Sequence, residues 1–179
     1  MLLMPAQNWL WYYEKEHDRF ALALGEEMVF LTPYSDKQLT PDCHFDTAFS
    51  TEHADFYQRA LSRLQGELDL MDAVLVQIAL NITAARFFAL PRMPKSWHFA
   101  PSDQIVYACE GKRVSLQSPS GHHQFVVVEA LEQSTLVMLL DPLCALTGGR
   151  EMRQFDLIKV MNDRLAPASE GRHVRIVAA

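Results

Sequence analysis

Histidines beside acidic side chains are the first places to look for chemistry in this sequence. Glu16, His17 and Asp18 are consecutive, a composition suited to acid–base catalysis. Neighbouring residues of a strand point to opposite faces, and a turn leaves all three side chains in water, so they do not converge on one site. We therefore interpret residues 14–19 as a solvated turn and predict no catalytic residues in this protein.

Metal-ligand residue types occur at positions 43–44 (Cys, His) and 122–123 (His, His). Structural zinc sites bring paired ligands two to four residues apart, and the sequence lacks that pattern. The 3 cysteines are widely separated, which is typical of reduced, buried thiols rather than of a disulfide framework. Glycine-rich phosphate loops and nucleophile-elbow motifs are also absent. We predict no metal site and no cofactor.

Composition and charge narrow the class of protein further. The chain has 179 residues, is 49% hydrophobic and carries a net charge of −6. Such a charge argues against nucleic acid as a partner, because a nucleic-acid binder needs a basic face. The N-terminus lacks the basic region of a signal peptide, and the most apolar stretch, residues 70–90, is interrupted by polar side chains. We expect a cytoplasmic protein without membrane insertion.

A basic island next to aromatic rings is the strongest chemical signal. Residues 73–102 contain no acidic residue and 3 basic ones, followed closely by aromatic side chains. The basic residues are Arg86, Arg92 and Lys95, and the aromatic residues are Trp97, His98 and Phe99. Such a combination is typical of protein-binding hot spots. The alternative is that Trp97 and Phe99 only seal the fold while Lys95 is solvated. We expect both roles, with the rings pointing the same way from extended chain and Lys95 at the rim of a partner site.

The elements that must position these residues differ between the two ends of the chain. Alternating apolar residues predict a β-hairpin over residues 8–24, followed by a short strand over 28–31. Helical spacing begins at Ser50 or Thr51 and ends at Gly66. A second helix, capped by Asp69, is expected to run to about Leu90 and to be buried on most sides.

After residue 99 the sequence is dominated by short β-type runs separated by turn residues. The predicted strands are residues 104–108, 113–117, 125–130, 135–140 and 144–147. Residues 156–161 fit either a strand or a helix, and the alternation of their side chains favours a strand. Strands of this length and spacing predict a small barrel or sandwich. The fold class is therefore α+β, with an N-terminal α/β region of an antiparallel hairpin sheet and two helices over residues 1–96. A small β-barrel-like region follows over residues 97–179.

Four stretches of the sequence resemble the ZapC family, division proteins of gamma-proteobacteria. They are "NWLWYYEKEHDR" (8–19), "LTPD" (39–42), "MPKSWHF" (93–99) and "IKVMNDRLAP" (158–167), in the same order and spacing along nearly the whole chain. Where the family pattern has a further lysine just before Pro91, this chain has Ala89 and Leu90, with Arg92 close by.

The resemblance implies a non-enzymatic, cytoplasmic regulator that binds FtsZ at the midcell division ring. We expect a monomer with two sites, and a dimer with one site per subunit is the alternative. It also implies lateral association (bundling) of FtsZ protofilaments, lower FtsZ GTPase activity, and pockets that engage FtsZ. The aliphatic face around Leu22 and the basic island are natural candidates for these pockets. The expected partner-binding residues are Leu22, Leu24, Arg86, Arg92, Lys95, Trp97, His98 and Arg164. A peptide-binding adaptor with another partner, and a small hydrolase or transferase using His17 or His98, are the alternatives.

Overall fold

The computed structural model describes residues 2–170 and 173–177, and the chain divides into two compact units. The first unit comprises Met1–Ser62 and Leu70–Pro91, and the second comprises Arg63–Asp69 and Arg92–Ala179. The boundary predicted between residues 96 and 97 stays a prediction. The outermost residues of the predicted regions, Met1 and residues 178–179, lie outside the described residues.

The first unit contains a four-stranded antiparallel sheet. Its strands are β1 (Trp9–Glu14), β2 (Arg19–Leu24), β3 (Val29–Leu31) and β4 (Thr47–Ala48), in the order β3-β2-β1-β4. The predicted hairpin and third strand are confirmed. Trp11 pairs with Leu22, which pairs in turn with Phe30, so these three side chains share one face of the sheet.

Two helices follow the sheet, α1 (Thr51–Glu67) and α2 (Asp72–Phe88). Helix α2 begins after Met71, which adopts the extended N-cap conformation, so the prediction that Asp69 caps this helix is wrong. The predicted burial of α2 is confirmed, because residues on every side of the helix, including Ile78, Leu80 and Ile82, have at most 1% of their surface exposed.

His53 of α1 lies among the aromatic side chains of the first unit. Its Nδ1 atom accepts hydrogen bonds from the indole N–H of Trp11 and from the backbone N–H of Ser50, both at 3.2 Å. The rings of Phe49 and Phe87 lie 5.6 Å and 4.4 Å from the imidazole. Burial lowers the pKa of His53, with a smaller opposing effect from Glu52. The folded protein therefore holds this imidazole neutral, with its proton on Nε2.

We predict that acidification destabilises the protein through His53. Because the pKa of His53 is lowered on folding, its stabilising contribution is complete above the unfolded value of about 6.5 and is lost as the pH falls towards the folded value. The loss amounts to at most about 1.4 kcal/mol per pH unit. Urea unfolding of wild type and His53→Gln at pH 7.5 and pH 5.5 measures it.

The control for this prediction is His17→Gln, because His17 lies in an exposed turn. His17→Gln should be about as stable as wild type at pH 7.5, whereas His53→Gln should be less stable at pH 7.5 but lose less between the two pH values. An equal loss in all three proteins would contradict the assignment of this pH dependence to His53.

The second unit contains the larger sheet. Its strands are β5 (Arg113–Ser118), β6 (Gly121–Ala130), β7 (Ser134–Leu139), β8 (Leu143–Ala145), β9 (Glu151–Arg153), β10 (Leu157–Met161) and β11 (Ala166–Pro167). Five of them form an antiparallel sheet in the order β10-β7-β6-β5-β11, and β8 pairs with β9. Within the described residues β10 and β11 do not pair, so the sheet stays open and is not closed into a barrel. The α+β fold class is confirmed.

Residues 104–108, predicted as a strand, form no strand in the structure. Val106 and Ala108 pack against the hydrophobic core of the second unit, whereas Ile105 is 100% and Tyr107 83% exposed. The alternation of apolar side chains is therefore real, but no neighbouring strand in the described part of the chain pairs with this segment. Instead, the Lys112 ammonium donates to the Tyr107 carbonyl oxygen at 3.0 Å. Alternation alone does not distinguish a paired strand from such a covering segment.

None of the helices in the described ranges is both long and apolar enough to cross a bilayer.

Candidate partner-binding surface

The segment Arg92–Phe99, here called the connector, is not fully extended. Ser96–His98 form one turn of 3-10 helix, in which successive side chains rotate by about 120°. As a result, Trp97 is 65% exposed, whereas His98 and Phe99 are 5% and 4% exposed. The prediction that Trp97 and Phe99 point the same way is therefore wrong, and Trp97 does not seal the fold.

Backbone hydrogen bonds fix the connector beside β10. The Lys95 N–H donates to the carbonyl oxygen of Lys159 at 2.8 Å. The hydroxyl oxygen of Ser96 accepts the N–H of Met161, also at 2.8 Å. Because β10 is an edge strand, these bonds satisfy polar groups on its outer side and hold Lys95 at a defined position.

Two predicted arginines are anchored in the same region. One guanidinium nitrogen of Arg92 donates to the Leu157 carbonyl oxygen at 3.3 Å. Arg164 donates through Nε to the Ser96 carbonyl oxygen at 3.2 Å and forms an ion pair with Asp163 at 2.8 Å. The structure thus brings Arg164 to the same side of β10 as Arg92 and Lys95, although Arg164 is far from them in sequence.

His98 has a structural role below this surface rather than a direct one on it. Its Nδ1 atom lies 2.6 Å from the hydroxyl oxygen of Thr147. Burial lowers the pKa of His98, and the neighbouring charges of Lys95 and Arg150 lower it further. A neutral, buried imidazole bonded to a hydroxyl anchors the turn that carries Arg150. That His98 contacts a partner stays a prediction, whereas its burial favours a role in positioning the turn that carries Arg150.

Arg150 is a candidate residue that the sequence did not single out. It follows two glycines of a tight turn, and Gly148 and Gly149 both have positive φ angles, 73° and 71°. The sequence pattern indicated a turn but gave no sign that this turn lies next to Lys95. Arg150 is exposed, and its effect on the pKa of His98 places its charge near the connector.

The resulting connector surface combines the exposed apolar and cationic side chains of Met93, Lys95, Trp97 and Arg150 with the partly exposed Arg164. Met93 is 80% and Trp97 65% exposed, which is unusual for side chains that gain so much from burial. Such a surface suits an apolar contact surrounded by acidic groups on another protein.

A polar cavity of about 280 Å³ also includes Arg164. Asp103, Gln117 and His122 are among its other lining residues. His122 lies 3.3 Å from the Ser115 hydroxyl through Nδ1. Arg164 thus takes part in both the connector surface and this cavity of the second unit.

The predicted site residues of the first unit are Leu22, Leu24 and Arg86. Leu22 has 0% exposure in the sheet core, so a direct contact with a partner does not fit its burial. Leu24, at the end of β2, is partly exposed. The guanidinium of Arg86 lies over the ring of Phe87, 5.4 Å from its centroid, which is a cation–π geometry.

The acidic residues and histidine at positions 16–18 lie in the exposed β1–β2 turn, as predicted. The Glu14 carboxylate accepts the backbone N–H groups of Glu16 and His17 at 3.1 Å and 2.7 Å. It also contacts Nδ1 of His17 at 2.5 Å. The hydrogen bonds of Glu14 stay within the turn and stabilise its shape.

The fold and the connector surface together define an α+β protein with an exposed surface of apolar and cationic side chains. Two family profiles match the chain: "Cell-division protein ZapC, N-terminal" over residues 2–90 and "Cell-division protein ZapC, C-terminal" over residues 91–171. The chain therefore belongs to the ZapC family of cell division proteins.

Several curated relatives share this assignment along most or all of their length. A cell division protein ZapC of Ferrimonas balearica is 50% identical over 179 residues, covering 100% of both chains. The ZapC of Shewanella oneidensis is 45% identical, covering 97% of this chain and 98% of the relative. The ZapC of Aeromonas hydrophila is 34% identical, covering 93% of each chain.

The different burial of Trp97 and Phe99 predicts opposite effects on stability. Trp97→Ala should change the free energy of unfolding by less than about 1 kcal/mol, because the ring is largely in water. Phe99→Ala should cost roughly 3–5 kcal/mol, because Phe99 packs in the core of the second unit. Urea unfolding monitored by circular dichroism tests both. A large loss for Trp97→Ala would show that the ring is buried in solution.

Leu22 should behave as a core residue. Leu22→Ala should cost roughly 2–5 kcal/mol, and Leu22→Asp should cost more, because it buries a carboxylate without a partner. The matched control is Leu24→Ala, at the partly exposed end of the same strand, which should cost less. Thermal unfolding of the three variants measures the order. A Leu22→Asp variant with the wild-type melting temperature would refute the core assignment.

Proposed function

We propose that this protein binds FtsZ through the connector surface and promotes lateral association of FtsZ protofilaments. In this proposal it lowers FtsZ GTPase activity and stabilises the division ring at midcell. Membership of a cell division family supports a role in division, and the sequence resemblance suggests FtsZ as the partner. The observation that carries the proposal is the exposed Trp97 ring with Lys95 and Arg150 nearby.

Apolar and charged groups make different contributions to binding at a protein interface. Burying the exposed part of a tryptophan contributes roughly 2–4 kcal/mol to binding. Cations around it add orientation and a faster association rate more than affinity. Because the whole chain has a net charge of −6, an acidic partner surface must be met by a local group of cations. Lys95, Arg150 and Arg164 provide such a group.

Bundling requires that each bound molecule contact two protofilaments. We propose a monomer that does so with more than one contact area, and a dimer with one contact area per subunit is the alternative. The connector surface supplies one contact area. Leu24 and Arg86 stay proposed contributors from the first unit.

We predict that Lys95→Glu weakens FtsZ bundling and leaves the fold intact. The substitution places an acid next to Trp97, where it repels acidic groups of the partner, whereas an exposed charge contributes little to folding. Co-sedimentation with FtsZ and GTP should show clearly less pelleted FtsZ and a smaller reduction of phosphate release. The melting temperature should stay within about 1–2 °C of wild type.

The matched control is Lys15→Glu, which makes the same charge change at an exposed lysine of the β1–β2 turn. It should bundle FtsZ like wild type. Added salt should weaken wild-type bundling and reduce its difference from Lys95→Glu, because salt screens exposed charges. Equal bundling by Lys95→Glu and Lys15→Glu at low salt would refute the charged part of the proposed surface.

A further inference from the structure

Ser120, His123 and Asp141 form a continuous chain of hydrogen bonds in the second unit. The hydroxyl oxygen of Ser120 lies 2.8 Å from Nε2 of His123. Nδ1 of the same imidazole lies 3.1 Å from Oδ2 of Asp141. A hydroxyl, an imidazole and a carboxylate in this order are the arrangement that activates a serine as a nucleophile.

The three groups differ in exposure in the way such chemistry requires. Ser120 lies in the exposed turn between β5 and β6, where a reagent can reach its hydroxyl. The side chains of His123 and Asp141 are only 15% and 20% exposed. Oδ2 of Asp141 also accepts the backbone N–H of Gln124 at 3.1 Å, which fixes the carboxylate against the imidazole.

The turn itself holds the hydroxyl in place. The backbone N–H of Ser120 donates to the buried Ser118 hydroxyl oxygen at 3.2 Å, and the two hydroxyl oxygens are 3.0 Å apart. Gly121 closes the turn with a φ of 116°, a conformation that L side chains rarely adopt. Ser118 can therefore donate to the Ser120 oxygen while Ser120 donates to His123.

We propose that Ser120 is the nucleophile of an acyl-transfer site, with His123 as its general base and Asp141 as the residue that positions the imidazole. The substrate class is small acyl donors with a good leaving group, such as activated esters or thioesters. The Ser120 oxygen forms a bond to the carbonyl carbon, and the bond from that carbon to the leaving group breaks. Nε2 of His123 takes the hydroxyl proton and passes it to the leaving alkoxide or thiolate. The product is an O-acylated Ser120.

The charge state of His123 sets the pH at which this site reacts. The hydrogen bond to Asp141, with a further contribution from the buried Cys144 thiol, raises the pKa of His123 to about 9. These two groups are the titratable neighbours that act on the imidazole. At neutral pH the imidazole is mostly protonated and cannot accept the serine proton. The reaction should therefore accelerate as the pH rises and level off above about pH 9.

An alkyl fluorophosphonate tests the nucleophile directly, because its phosphorus forms a bond to an activated serine oxygen as fluoride leaves. We expect the full chain at pH 9 to be labelled at Ser120 at least about 100-fold faster than at Ser62, an exposed serine of α1. Peptide mass spectrometry over time measures both sites in one sample. Ser120→Ala should lose the label without losing the fold.

His123→Gln should slow labelling of Ser120 by about 100-fold, within the range of general-base catalysis. Asp141→Asn should move the pH midpoint of labelling below 9, because it removes the group that raises the pKa of His123. A purely structural role of Asp141 would leave that midpoint unchanged. Equal labelling of Ser120 and Ser62, or a wild-type rate that does not level off near pH 9, would overturn the proposal even if the His123 variant fails to fold.

Discussion

The outer edge of β10 is the constraint on which the connector surface depends. An edge strand presents backbone N–H and C=O groups that must find partners. Here the connector supplies them, through the Lys95 N–H and the Ser96 hydroxyl. With these two residues fixed, the 3-10 turn over Ser96–His98 directs Trp97 towards solvent, and Phe99 after it lies in the core. The exposure of Trp97 is thus a consequence of how the sheet edge is covered.

The opposite edge of the same sheet is covered in a related way. Strand β11 pairs with only part of β5, and the Ala100 N–H donates to the Gln117 carbonyl oxygen at 2.9 Å beyond it. Residues that follow the connector then cross the core face, where Val106 and Ala108 are packed. Short irregular segments therefore cover the sheet edges that would pair with each other in a closed barrel. This explains why a sequence rich in short strands forms an open sheet.

Much of the fold could be predicted from local pattern, and the failures have physical causes. Alternation predicted the β1–β2 hairpin and β10, because each of these strands is paired along its length. The same pattern failed at residues 104–108, where the alternating side chains cover a core without a pairing strand. Helical spacing predicted the burial of α2 but not its start, since Met71 caps the helix through its backbone conformation.

The candidate sites were harder to predict, because they depend on contacts between distant residues. Lys95 was singled out from composition alone, whereas Arg150 needed the contact between His98 and Thr147 to be seen. Leu22 was singled out as apolar, but strand pattern alone does not say whether an apolar face meets solvent or core. The 0% exposure of Leu22 settles that question for the folded chain.

The histidines show most clearly why residue type and spacing do not predict the charge state of a side chain. Burial favours the neutral form of His53, whose Nδ1 accepts two hydrogen bonds, whereas the carboxylate of Asp141 favours the charged form of His123. That carboxylate lies opposite His123 because of a β-bulge between Val127 and Glu129 of β6. Before the bulge Val127 pairs with Val137, and after it Glu129 pairs with Leu136, so the register shifts by one residue.

Without that shift, the register of the Glu129–Leu136 pair would continue along both strands. Gln124, and not His123, would then lie opposite Asp141. With it, Gln124 pairs with Leu140, as the hydrogen bond from the Leu140 N–H to the Gln124 carbonyl oxygen requires. A slip of one residue exchanges the faces on which side chains lie. The Ser120–His123–Asp141 arrangement therefore depends on one extra residue in β6. No short-range sequence pattern specifies that residue, because a bulge is set by the pairing of the whole strand.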